Sequence, residues 1–302
     1  MQPIVSIIIR AYNAERYLKE ALFSIISQTY EGNKEILILF DKGSKTEKAL
    51  DIASEFKKNY EITAFKVIKH EHMSPFRALQ LGLKYAEGKY VGFLDYDNVY
   101  KEDFLEKNVK ELERGADATF TFSKPVNEKL EPVDISENFP LSLKVLRFLV
   151  SKAPLKWFVE HPPSKLDVLK LLIMNYVDMS SLMISSESRE ILIRAFEKLK
   201  HRYFDWIYED WLSALILAKE NVKSKRVDGT TYFYRIHDQN ITATFDPDKE
   251  IQKTLMHLER EIKTLKAFQY LYKDRVSLGE ITILRGVLMR KLFKIWKSYT
   301  TT

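Results

Sequence analysis

Cysteine is missing altogether from these 302 residues. That excludes disulfides, thiolate metal sites and a cysteine nucleophile, and nothing in the chain calls for an oxidising compartment. No stretch reaches the roughly 18–20 uninterrupted apolar residues of a spanning helix. The opening run, residues 1–10, is too short and too poor in basic residues for a signal peptide. A cytoplasmic protein is therefore expected, free or peripheral at the inner face of the membrane. There is no H-E-x-x-H, no Walker phosphate loop and no G-x-S-x-G elbow. The excess of one charge sign is small, a formal +6. It permits anionic partners, but no nucleic-acid recognition motif or cluster of base-stacking aromatics goes with it, so nucleic acid is not an expected partner.

What is present suffices for a real core: 45% of residues are hydrophobic and 30% charged. The first part alternates strand and helix patterns. Val5–Ile9, Glu35–Phe40, Ile62–Ile68, Tyr90–Leu94 and Ala116–Phe122 read as strands. Between them, helices are expected over Ala14–Gln28 with Asn13 as its cap, over Lys45–Lys58, over Pro75–Ala86 ended by Gly88, and over Glu102–Glu113. Such alternation predicts an α/β fold with a mostly parallel central sheet covered by helices on both faces. The middle changes character. Pro125–Pro140 reads as loop, Leu141–Phe158 and Leu166–Tyr176 as apolar, basic helices, Met179–Ser185 as a strand and Ser188–Lys200 as a helix. Thr230–Ile236 reads as a last strand, and a helical region is expected from Asp246 onwards.

The most informative feature is Asp95-Tyr-Asp97 at the end of the apolar strand Tyr90–Leu94. Alternation along a strand sends Asp95 and Asp97 to one side, and ligands of open α/β sheets bind outside the carboxyl ends of the strands. Two carboxylates held there repel unless a cation separates them. Mg²⁺ or Mn²⁺ shared with a substrate diphosphate is the usual answer. The bland alternative is a pair of solvated turn carboxylates.

Several motifs, in order, resemble the family 2 glycosyltransferases of the GT-A fold. Val5-Ser-Ile-Ile-Ile-Arg-Ala-Tyr-Asn13 resembles their opening strand and Tyr-Asn turn. Ile25-Ile-Ser-Gln-Thr-Tyr30 resembles their first helix end, Phe40-Asp-Lys-Gly-Ser44 their Asp-Asp-Gly-Ser turn, and Asp95-Tyr-Asp97 their D-x-D. Glu209-Asp210 and Tyr234-Arg-Ile-His237 resemble the late Glu-Asp and Tyr-Arg-x-His motifs. The resemblance covers roughly residues 4–240. It implies the nucleotide-diphospho-sugar transferase fold with a C-terminal helical extension, and an inverting, metal-dependent transfer of a sugar from a nucleotide-diphosphate donor, UDP foremost, to a hydroxyl of a glycan or lipid-linked acceptor in polysaccharide biosynthesis. Carried over, Asp97 and His237 would hold Mn²⁺ or Mg²⁺, and Asp95 would meet the ribose or a metal-bound water. Asp210 would be the general base, its carboxyl raised by the nearby Trp206, Tyr208 and Trp211. Ala11, Tyr12, Asn13, Asp41 and Gln80 would line the donor. Arg10 departs from the family, which has proline there, as do Lys42, Leu79 and Asn98. These departures leave open a nucleotide-sugar-binding protein without catalysis.

The expected organisation is a transferase domain over 1–245, its nucleotide half 1–122 and acceptor half 123–245, followed by a helical extension over 246–302. Within the extension, residues 281–297 carry an apolar stripe beside five basic residues and no acid. Such a helix either packs on the domain or on a second copy in a homodimer, or lies on an anionic membrane.

Overall fold

The computed structural model describes residues 4–60, 62, 64–133, 163–173, 175–237, 240 and 247–273. The expected helix over Leu141–Phe158 and the basic stripe over 281–297 lie outside them.

Strands β1 (Val5–Ala11), β2 (Lys34–Asp41), β3 (Ala64–His70) and β4 (Tyr90–Asp95) are linked by helices α1 (Leu18–Ile26), α2 (Lys48–Asn59) and α3 (Pro75–Tyr85). The four strands pair in parallel in the order β3-β2-β1-β4. The chain continues through β5 (Val99–Tyr100), α4 (Phe104–Glu113), β6 (Ala118–Phe120), β7 (Ser123–Val126) and α5 (Val168–Ile173). Next come β8 (Leu182–Ser185), α6 (Ser186–Glu197), α7 (Glu209–Lys219), β9 (Ser224–Arg226), β10 (Tyr232–Arg235) and α8 (Pro247–Tyr272). Strand β8 runs antiparallel between β4 and β6, and β9 closes the seven-stranded sheet beside β6. A second, three-stranded sheet places β10 between β5 and β7.

The continuous apolar runs of β1 and β2 are explained by burial on both faces. Ile7 and Ile9 of β1 join Ile36 and Ile38 of β2 against α1, α2 and α4. Ile8 joins Leu37 and Leu39 against α3, α6 and α7. Helix α7 is apolar nearly all round, with Trp211 to Leu217 buried, as a helix sunk in a core must be. Its Trp211 Nε1–H donates to the Leu171 carbonyl at 2.6 Å. The C-terminal α8 adds Leu265, Ala267 and Phe268 to the same core, so this helix packs against the rest of the fold. No helix among the described residues is long and apolar enough to cross a membrane.

Several expectations are corrected. The first helix starts at Leu18, because Asn13 takes a left-handed φ of 50° and residues 14–17 form a turn. Asn13 is therefore not its cap. Met179–Ser181 is a short 3-10 turn capped by Asp178 rather than strand. Part of the expected loop after Pro125 is β7. Strands β5 and β9, of two and three residues, are too short to show a period. Gly88 is needed for a different reason from the one expected. It does not cap α3 in the left-handed region, since the cap is Ala86 in an extended conformation. Instead the chain passes so close to β1 that a Cβ on Gly88 would lie 2.7 Å from the Ser6 amide nitrogen, while the Gly88 N–H donates to Ser6 Oγ at 2.8 Å. Backbone cannot yield as a side chain can. Gly88→Ala is expected to lower stability by about 1–3 kcal/mol in chemical denaturation; an unchanged midpoint would contradict the close approach.

Candidate active site

Because β1, β2 and β4 are parallel, Ala11, Asp41 and Asp95 finish at one edge of the sheet. Arg10 stands opposite Asp95 in the β1–β4 register. Its side chain shares the face of Ile8, the face covered by α7. Arg10 Nη2 and Nε reach Asp95 Oδ1 at 2.5 and 3.2 Å. The other arm, Nη1, donates to Glu209 in the first turn of α7. One guanidinium thus joins the D-x-D end of β4 to the Glu209-Asp210 pair, more than a hundred residues away in the chain. Burial pulls the Arg10 guanidinium down, but Asp95 and Glu209 more than offset it and hold it well above its ordinary value.

Strand alternation does not place Asp97. The strand ends at Asp95, and a turn follows, closed by the Asn98 N–H to the Asp95 carbonyl at 3.0 Å. The turn sends the Asp97 carboxylate away from Arg10 and toward His237, whose Nε2 lies 3.0 Å from Asp97 Oδ2. Asn240 Nδ2 reaches the same oxygen at 3.4 Å. Burial raises the Asp97 carboxyl, the hydrogen bond from His237 opposes this, and the Asp95 charge adds to it. Three residues hold the turn: Asn98, Arg235 of the Tyr-Arg-x-His stretch, and Ser180, which no motif singled out. Asn98, nearly inaccessible, donates to Ser180 Oγ at 3.0 Å and accepts the Arg235 N–H at 3.1 Å. Ser180 Oγ also accepts the Asp95 N–H. The fully buried Arg235 donates from Nε to the Asp97 carbonyl at 2.9 Å, from Nη1 to the Glu128 carbonyl, and from Nη2 to Glu20 at 2.5 Å.

The Asp210 carboxylate accepts the Trp211 N–H at 2.7 Å and an amide N–H of Asn175 at 3.1 Å. Burial pushes its carboxyl well up, and the charges of Glu209 and Asp178 push further. Burial is the expected cause, but acids add to it where aromatic neighbours alone were expected: Trp206 is exposed, and Trp211 points its ring to Leu171. Asp178 went unnoticed in the sequence, where it is one acid among many. It sits just before the 3-10 turn, and burial together with Asp95 lifts its carboxyl to about 6.

Further along this edge, Asn13 ties the end of β1 to the turn after β2. Its N–H donates to Ser44 Oγ at 3.1 Å and its Oδ1 accepts the Lys45 N–H at 2.8 Å. Asp41 closes an Asx turn by accepting the Gly43 N–H at 2.7 Å. It also meets His72 Nδ1 at 3.1 Å. The exposed Tyr12 ring leans on His72 at 5.3 Å between centroids. Ala11 is buried beside them. Gln80 is not brought to this edge. Its amide donates to the Phe196 carbonyl at 2.9 Å and accepts from Arg77 at 3.0 Å, so it serves the joint between α3 and α6. That joint lines a cavity of about 1010 Å³ remote from the D-x-D contacts.

A carboxylate and an imidazole 3.0 Å apart, Asp97 and His237, suit Mn²⁺ as oxygen and nitrogen donors. Among the described residues no three His, Cys, Asp or Glu side chains gather as a metal cage.

A family model described as glycosyl transferase family 2 matches residues 6–159. The chain belongs to that family. A curated relative in Haemophilus influenzae, an uncharacterized glycosyltransferase, is 38% identical over 113 residues, 37% of this chain and 33% of that protein. The chain thus matches about a third of that relative's length. Among solved structures, S. aureus TarS in complex with UDP-GlcNAc superposes with a TM-score of 0.54 at 16% identity, covering 89% of this chain and 71% of that one. The mannosyltransferase PcManGT of Pyrobaculum calidifontis, in complex with GDP-Man and Mn²⁺, gives 0.54 at 16% identity, covering 100% and 84%. At such identities the likeness is of fold, and the fold is GT-A.

The raised Asp178 carboxyl carries a stability consequence. The folded group keeps its proton to about pH 6, whereas the unfolded one releases it near 3.8. Folding is therefore penalised as pH rises through that window, by at most ~3 kcal/mol. Asn keeps the oxygen that accepts the Ser180 N–H. Asp178→Asn is expected to be more stable than the parent near neutral pH, with the gap closing below about pH 4. Denaturation curves at both pH values check this, and a gap that persists in acid would rule out the linkage.

Proposed function

We propose that this protein transfers a sugar from a nucleotide-diphosphate donor to an acceptor hydroxyl with inversion at the anomeric carbon. The observation that carries the reading is the Arg10 bridge, which puts the D-x-D end of β4 beside the Glu209-Asp210 end of α7. Donor chemistry and proton removal need these two ends in one place.

In this reading Asp97 and His237 hold a divalent cation, Mn²⁺ or Mg²⁺, which when bound stabilises the leaving diphosphate as a Lewis acid. Asp95 faces the ribose or a metal-bound water. Tyr12, Asn13 and Asp41, with the backbone of Ala11, form the base side of the donor site. Asp210 takes the proton of the acceptor hydroxyl as its oxygen bonds the anomeric carbon. The bond from that carbon to the diphosphate oxygen breaks, and its electron pair leaves on the diphosphate. A carboxylate raised toward neutrality by burial is a better base than an exposed one. The donors held by TarS and the Pyrobaculum mannosyltransferase, UDP-GlcNAc and GDP-Man, support a nucleotide-sugar donor; we take UDP as its carrier. The acceptor is a glycan or lipid-linked glycan of polysaccharide biosynthesis. Residues 1–122 form the nucleotide half and 123–245 the acceptor half.

Asp210→Asn is expected to lower turnover by roughly 10²–10⁴-fold while donor affinity stays within a few-fold. Asp97→Ala is expected to abolish the extra thermal stabilisation that Mn²⁺ adds to a nucleoside diphosphate, about 2.7 kcal/mol for a ligand at ~100 Kd. A thermal-shift screen of UDP and GDP with and without Mn²⁺, followed by transfer assays of both variants, is the test. Metal-dependent binding with no turnover by the parent on any acceptor would favour a binding protein over an enzyme.

A further inference from the structure

We propose that Arg10 is a positioning residue: by clamping Glu209 of α7 to Asp95 of β4, it sets both the place and the electrostatic surroundings of Asp210. The inference rests on the reading of Asp210 as the base.

Its grounds are geometric. The clamp is sheltered, with side-chain exposures of 18% for Arg10, 13% for Glu209 and 30% for Asp95. A guanidinium is a planar fork that serves two carboxylates at once, which neither a lysine point charge nor an apolar residue can do. Glu209 and Asp210 are consecutive in the first turn of α7. Fixing the former fixes the backbone that carries the latter. No side-chain cap holds that end of the helix, whose N-cap is Tyr208. The turn is held instead by Arg10 and by the Tyr208 N–H, which donates to Thr264 Oγ of α8 at 2.9 Å.

The charges facing Asp210 can be named. From its own helix comes Glu209, and from the segment before β8 comes Asp178. Tyr208 adjoins it, its hydroxyl against His257 and near Arg260 of α8. Asp178 is itself faced by Asp95 of β4, which Arg10 from β1 holds. In this mostly acidic ring Arg10 is the cation bound directly to two of the acids. Without it the Glu209 charge acts on Asp210 unopposed, and a nearby like charge disfavours ionisation.

The test is the pH dependence of kcat for the full chain and for Arg10→Lys, Arg10→Met, Glu209→Gln and the Arg10→Met/Glu209→Gln pair. Arg10→Met is expected to move the acid limb upward by roughly one unit, and Glu209→Gln to move it downward. The pair should fall between them, and Arg10→Lys should restore part of the parent profile. A merely structural arginine would lower the rate of Arg10→Met and leave both limbs in place, which would overturn the proposal. Should Arg10→Met fail to fold, Glu209→Gln carries the test alone, and a stationary limb there overturns the proposal equally. Asp210→Asn separates the two readings. Activity retained in that variant removes the base assignment and the proposal with it. An inactive Asp210→Asn beside an unmoved Arg10→Met limb removes only the role of Arg10.

Discussion

The arrangement depends on one electrostatic constraint: carboxylates from three separate stretches of chain meet at one edge of a sheet, and like charges so placed repel. Burial first, and then the Asp95 charge, raises the cost of ionising Asp178; burial first, and then the charges of Glu209 and Asp178, raises that of ionising Asp210. Arg10 offsets part of that cost by pairing with Asp95 and Glu209. The remainder stays in the folded protein as raised proton affinity. A site optimised for stability alone would not hold it; the proposed proton transfer would use it.

Around the acids, a framework of hydrogen-bond donors and acceptors does the positioning. Asn98, Ser180 and Arg235 bind mostly backbone atoms of the turn that carries Asp97. Because these bonds run from β4 to the 3-10 turn before β8 and to β10, the two sheets are fastened together where the carboxylates diverge. Asp95 turns to Arg10 and Asp97 to His237, so the two acids of the motif have different partners although one residue separates them. Family 2 membership and the GT-A fold fit this arrangement, an edge built by parallel strands and a later helix that brings an acid to it.

The fold was largely legible in the sequence, for a simple reason. Parallel strands buried on both faces leave unbroken apolar runs, and the helices between them leave stripes, so β1 to β4 and α2 to α4 fall close to their expected places. Short elements escaped. Strands β5 and β9 owe their existence to partners far away in sequence, and two or three residues carry no period. Asn13 looked like a helix cap by residue type, yet its left-handed backbone makes it a tie between two strand ends. Gln80 looked like part of the donor site by motif position, yet its amide is used between helices.

Composition and pattern alone determined that this is an α/β chain with acids at strand ends and no thiol chemistry. Local spacing reports what a segment does with its own neighbours. Which acid faces which partner was decided by tertiary structure: Arg10 on Glu209, His237 on Asp97, Asp178 in the ring around Asp210. Arg10 and Glu209 lie 199 positions apart, and His237 and Asp97 lie 140 apart. Coulomb energy falls with distance in space and takes no account of distance along the chain.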